Sequence, residues 1–233
     1  MGLKVIGADI SLNHGALVEI TDGELSNFWY WTDVASSASR SKRGYRMVVL
    51  NTKDRGLKSI HRLANIERYL YGILEGAEPD YIGIEDYAIR EEQGAHYLGE
   101  VGGISRMLCW KLNIPLRLHD PTSVKMFVAH DGTCQKDSVE RAVLDRWGVD
   151  FSRFNQPIAK PNKKVKQPKQ SRRTSEDLCD AFGIAHMVWT EVQLRRGEIA
   201  MSSLHEKEIR VFNRVTKTYP VNLLDREWIK RCD

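Results

Sequence analysis

Between residues 57 and 74, Leu57, Ile60, Leu63, Ala64, Ile66, Leu70, Ile73 and Leu74 recur at near-helical spacing. Pro79 and Asp80 end that pattern, and Tyr81-Ile82-Gly83-Ile84-Glu85 follows as a short apolar run. A helix that breaks straight into a buried strand is the crossover of a parallel pair, which no tight turn can join. The order recurs downstream, with a helix at about His96 to Leu112, a strand at Pro115 to Leu118, a short helix from Pro121 and another from about Lys136 to Trp147. Upstream, Leu3 to Ile10 reads as a buried strand, Ser11 to Gly15 as a turn, and Ala16 to Ile20 as a second strand closed by Thr21-Asp22-Gly23. Glu24 to Thr32, with Phe28, Trp29, Tyr30 and Trp31, is the third. The expected fold is α/β: a three-stranded antiparallel meander joined to parallel strands and flanked by helices.

The remaining segments are read from composition. Ser36 to Arg46 is small, polar and basic, hence a loop, before a short apolar run at Met47 to Leu50. A long helix is expected from Ser175 to about Arg195, capped by Thr174 or Ser175 and ended by Gly197. Beyond Met201 the chain admits a strand at Glu208 to Val215 and a short amphipathic segment around Leu223 to Ile229, with no legible role. With 233 residues, 42% hydrophobic and 28% charged, the chain suits one soluble domain or one domain plus an extension. No apolar run approaches the roughly 20 residues of a membrane span, and the first residues do not resemble a signal peptide. An intracellular setting without a membrane is therefore expected. Cys109, Cys134, Cys179 and Cys232 are too scattered for a disulfide scaffold or a zinc site and read as reduced thiols.

Four acids stand at element ends. Asp9 lies near the end of the first apolar strand and Glu85 terminates YIGIE, where a lone buried carboxylate is costly unless paired or bound to metal. Asp177 and Asp180, three apart in the first turn of the long helix, share a face. Singly, each fits an ordinary turn or a favourable charge at a helix N-terminus. Together they offer the hard oxygen ligands that Mg²⁺ takes.

The ordered set VIGADISLNHG, YIGIEDYAI and EDLCDAFGIAHM resembles the RuvC family of Holliday junction resolvases, within the RNase H-like superfamily. Between them, VGGISRMLCWKLNIPLRLHDPTSVKMFVAHDGTCQKDSVERAVLDRWG is similar to that family's helix, strand, P-x-x-V-K turn and G-x-x-x-K-x-x-V helix start. The similarity spans roughly Leu3 to Val192. It implies an RNase H-like mixed sheet over residues 1–198, with a basic loop at 157–174, and leaves 199–233 as a C-terminal extension. It also implies that Asp9, Glu85, Asp177 and Asp180 hold metal, with Lys125 and Lys136 as the matching basic positions. Two departures stand out: Ile10-Ser11 replaces the Gly-Ser often found after the first aspartate, and Tyr87-Ala88 stands near the family's stacking aromatic. Bacterial, phage and viral origins all stay open, and the cytoplasm of a bacterial or phage-infected cell is the expected setting.

The resemblance implies a crossover junction endonuclease acting on four-way or branched DNA with two Mg²⁺ ions per site, Mn²⁺ substituting, and leaving 5′-phosphate and 3′-hydroxyl ends. Asp9 and Glu85 would serve both ions, Asp177 and Asp180 complete them, and Lys136, supported by Lys125, offset charge on the scissile phosphate. Tyr87 is a candidate for contact with DNA. Lys160, Lys163, Lys164, Lys166, Lys169, Arg172 and Arg173 carry seven positive charges without one acid, leaving the rest of the chain at −3 against an overall +4. Any polyanion contact therefore rests on that loop, whose plain alternative is a solvated charge run. A near-symmetric junction and two cuts favour a C2 homodimer, for which the apolar helix His96 to Leu112 is a candidate interface. Three rivals are carried: an RNase H-like nuclease acting on RNA or other branched DNA, a catalytically inactive junction binder, and an actin-like or sugar-kinase ATPase. The last would need a second phosphate loop and an adenosine motif, neither of which the sequence contains.

Overall fold

The computed structural model describes residues 2–32, 44–46, 53–86, 95–154 and 174–231, and only the backbone of 44–46 and 95–98. The opening meander is β1 (Lys4–Ile10), β2 (His14–Thr21) and β3 (Glu24–Thr32). A three-residue strand, β4 (Gly44–Arg46), runs parallel to β3. It falls within the segment expected to be a loop, because a strand this short carries no alternating apolar signal. Helix α1 (Arg55–Ala77) crosses to β5 (Tyr81–Glu85), and α2 (Ala95–Lys111) crosses to β6 (Leu116–His119). Then come α3 (Pro121–Ala129), α4 (Lys136–Trp147) and α5 (Thr174–Arg196). The six strands lie in the order β4-β3-β2-β1-β5-β6, antiparallel within the meander and parallel from β1 to β6. Among the described residues no helix is long and apolar enough to cross a membrane, and Cys109, Cys134 and Cys179 are free thiols.

Strand parity sorts the side chains between two cores. Ile6, Ala8, Leu17, Ile82, Ile84 and Leu116 face α1 and α2. Val5, Ala16, Val18 and Ile20 face α5 and join Leu178, Ala181, Phe182 and Ala185. By the same alternation Asp9, His14, Glu85, Arg117 and His119 belong to the α5 face.

Helix α5 lies close to the sheet because two glycines leave room for it. Gly7 and Gly83 are register partners on β1 and β5. A Cβ on Gly7 would stand 2.0 Å from the Ala181 carbonyl oxygen, and one on Gly83 2.6 Å from Ile184 Cγ2. At the other end of the meander Gly23, at φ 87°, packs under Trp189. Trp189 thus sits over the start of β1, Ala181 over its middle, and residues before Ala181 over its end. The helix therefore runs antiparallel to β1 and brings its N-terminal turns to the strand ends that carry Asp9 and Glu85.

Two helix expectations change. Thr174 and Ser175 lie inside α5, and the Ser175 hydroxyl donates to Glu140 of α4, whereas a capping hydroxyl at the position before the helix would accept from a first-turn N–H. Asp180 consequently falls in the second turn. The segment Glu208 to Val215, expected as a strand, forms helix α6 (Glu206–Phe212). His205 accepts from the Lys207 N–H while Glu208 accepts from the His205 N–H, a capping box that overrides the alternating pattern. Val211, Phe212 and Leu223 then enter the α5-side core, and Ile229 exchanges backbone hydrogen bonds with Leu116 on β6.

Candidate active site

Parallel pairing of β1 with β5 runs through Ala8 and Ile84, so Asp9 and Glu85 follow one step beyond on neighbouring strands. Asp9, Asp177 and Asp180 are 3%, 4% and 7% exposed, which leaves three carboxylates with little water to solvate them. Such burial demands compensating positive charge. His14, opening β2, places Nδ1 3.0 Å from Asp177 Oδ2. Lys136 places Nζ 3.4 Å from Asp180 Oδ2 and 3.6 Å from Glu176 Oε2. As the first residue of α4, Lys136 sits where the helix dipole disfavours a cation, and the α5 carboxylates offset that cost. Ser11, in the β1–β2 turn, holds His14: its hydroxyl donates to the His14 carbonyl at 2.5 Å and lies 3.2 Å from Nδ1.

The residue after Glu85 is also pinned. Asp86 donates its N–H to the His119 carbonyl at 2.7 Å, and its Oδ1 accepts from Arg106 Nη2 of α2 at 2.8 Å. Oδ2 accepts from the Tyr219 hydroxyl at 2.5 Å. Burial, reinforced by this carboxylate, pushes the Tyr219 phenol above its ordinary range, so it remains a donor across the neutral range.

Lys125 donates to the Cys134 carbonyl at 3.0 Å, tying down the α3–α4 turn. Burial pushes the Cys134 thiol up, with Lys125 lowering it and Asp131 and Asp180 raising it by lesser amounts. Tyr87 and the basic residues Lys160, Lys163, Lys164, Lys166, Lys169, Arg172 and Arg173 lie outside the described residues. His14, Asp86 and Tyr219 escaped the sequence reading. His14 is visible there only as part of a turn, and its partner is 163 residues away.

The donors fit a hard divalent cation in kind, being carboxylate oxygens on a rigid sheet and helix. Among the described residues no group of three or more His, Cys, Asp or Glu is drawn together closely enough to hold a metal ion. In this arrangement Asp177 lies against the His14 imidazole and Asp180 against the Lys136 ammonium.

No family model and no curated protein matches the chain. Solved structures do. The RuvC structure of Thermus thermophilus superimposes with a TM-score of 0.51 at 17% identity, over 84% of this chain and 97% of that one. T. thermophilus RuvC in complex with its Holliday junction substrate gives 0.51 at 17%, over 79% and 91%. The yeast mitochondrial Holliday junction resolvase Ydc2 gives 0.49 at 17%, over 84% and 81%. The mixed sheet flanked by helices is thus of the RNase H-like class. Within that class the fold is RuvC-like.

Proposed function

We propose that this chain is a Mg²⁺-dependent, structure-selective endonuclease that resolves four-way or branched DNA, leaving 5′-phosphate and 3′-hydroxyl ends. The observation carrying this reading is that Asp9, Glu85, Asp177 and Asp180 come from three elements to one face and one end of a RuvC-like sheet. Asp9, Glu85, Asp177 and Asp180 would hold two ions, which when bound supply water activation and stabilisation of the leaving oxygen. Lys136, already within reach of Asp180, would offset charge on the scissile phosphate. His14 and Lys136 hold Asp177 and Asp180 in orientation. The basic residues from Lys160 to Arg173 would contact the phosphate backbone, which positions DNA without reading its sequence. Two such sites in a C2 homodimer would make the paired cuts that a junction requires.

The test is cleavage by purified protein with Mg²⁺ or Mn²⁺ of four-way junctions, forks, linear duplexes, RNA–DNA hybrids and structured RNA in competition. Symmetric nicks on the junction are expected, lost in Asp9→Asn. Preference for RNA or hybrids would reassign the substrate, and full activity in Asp9→Asn would remove the assigned site. Neutralising the seven basic residues is expected to flatten the dependence of binding on salt, by nearly one unit of slope for each phosphate left without its cation.

A further inference from the structure

The segment after Met201 carries no motif, yet its side chains converge on the strand end that bears Glu85. We infer that Tyr219 is a positioning residue for that site: by holding Asp86 it fixes the end of β5 and with it the direction of the Glu85 carboxylate. The inference rests on the proposal that Glu85 holds metal.

Glu85 is the last residue of a five-residue strand, paired on one side with His119. Strand ends fray unless the following residue is held. Asp86 is held from three directions: by the His119 carbonyl of β6, by Arg106 of α2 and by Tyr219. Two of these belong to the sheet and its crossover helix, while the third comes from 133 residues downstream.

Tyr219 is itself built in. Its N–H donates to Thr216 Oγ1 at 3.0 Å, its carbonyl accepts from the Thr216 N–H at 2.7 Å, and the Arg226 guanidinium lies 4.1 Å from its ring centroid. The flanking chain is anchored on both sides. Arg214 Nη1 bonds Asp120 Oδ1 at 2.9 Å and Ser123 Oγ at 3.0 Å, and Ile229 pairs with Leu116. A phenol fixed from both sides can place its hydroxyl with little freedom, which is what positioning requires. A surface tail serving only to cover the core would need Phe212 and Leu223 but not this hydroxyl.

The experiment measures Mn²⁺ affinity of the full chain by calorimetry, with thermal unfolding alongside, for wild type, Tyr219→Phe, Asp86→Asn and the double variant. Loss of one hydrogen bond to a carboxylate is expected to weaken Mn²⁺ binding about three- to tenfold in Tyr219→Phe, with unfolding little changed. Asp86→Asn is expected to weaken it at least as much, and adding Tyr219→Phe to it to change little more, since the phenol acts through that carboxylate. Wild-type Mn²⁺ affinity in folded Tyr219→Phe, or a full further loss on the Asp86→Asn background, overturns the inference. Should Tyr219→Phe fail to fold, unchanged affinity in Asp86→Asn overturns it equally, and a loss there upholds it. If the variants bind Mn²⁺ more weakly while wild type cuts no nucleic acid, the positioning role stands and the nuclease reading falls. If wild type cuts DNA and Tyr219→Phe binds Mn²⁺ as wild type does, the positioning role alone falls. Absence of Mn²⁺ binding by wild type removes both.

Discussion

At the N-terminal end of α5, Asp177 and Asp180 face His14 and Lys136, whose side chains are 30% and 35% exposed. At the C-terminal end Glu191 is fully buried and takes both guanidinium arms of Arg117, at 2.5 and 3.0 Å, and Arg195 Nε at 2.9 Å. Arg117 also donates to the Glu227 and Arg226 carbonyls and lies 4.4 Å from the Trp228 ring centroid. Burial raises the Glu191 carboxyl even against two guanidiniums. One helix thus carries carboxylates in two conditions. The acids at the first end lie against partly exposed side chains, whereas Glu191 is enclosed by two guanidiniums and serves to hold the fold together.

That contrast is open to attack in order of effect. Asp180→Asn is expected to lower Mg²⁺-dependent cleavage about a thousandfold or more in single turnover with no loss of melting temperature. Retained activity would erase the distinction between the two ends. Arg117→Ala is expected to cost about 3–5 kcal/mol in urea unfolding, because it strands a buried charge, while Arg117→Met with Glu191→Met is expected to be nearly neutral. A cost below about 1 kcal/mol for the single change would put Glu191 with the acids at the first end.

Acid provides a third probe, because two histidines in the α5-side core are held neutral by burial. His119 is lowered to about 3 by burial, then by Arg117 and Arg226, and His186 to about 3 by burial, then by Arg146. Below about pH 6.5 the unfolded chain takes up protons that the folded chain refuses, so stability falls as pH falls. Between pH 6.5 and 5 each histidine is expected to cost about 2 kcal/mol, and His186→Phe, set among Phe182, Trp147 and Trp189, to remove its share of that slope. Stability that stays flat with pH would contradict two neutral buried imidazoles. The smallest effect is expected at Lys136→Ala, about tenfold slower cleavage. Lys136→Arg should recover most of it if charge is what matters.

Legibility in the sequence followed the range of each interaction. The β1, β5 and α4 boundaries and the shared face of Asp177 and Asp180 rest on local period, and the structure places them accordingly. The end-of-strand position of Asp9 and Glu85 was readable because an acid closes an apolar run. What that position means in space was not, since their neighbourhood depends on Gly7 and Gly83 admitting α5. Glu208 to Val215 misled because Ile209, Val211 and Val215 alternate as in a strand, while the deciding bond is between His205 and Glu208. The pairs His14–Asp177, Arg117–Glu191 and Asp86–Tyr219 join distant segments and leave no trace in any window of sequence.

The close seat of α5 on Gly7 and Gly83 also bears on when this molecule becomes complete. Asp9 emerges from the ribosome about 170 residues before the helix that covers it, and Tyr219 follows later still. At roughly 5–20 residues per second, a nascent chain spends on the order of ten seconds with β1 and β5 formed at best as an uncovered half-sheet. During that interval the four acids are not yet gathered at one end of the sheet, and they come together only once α5 has been made.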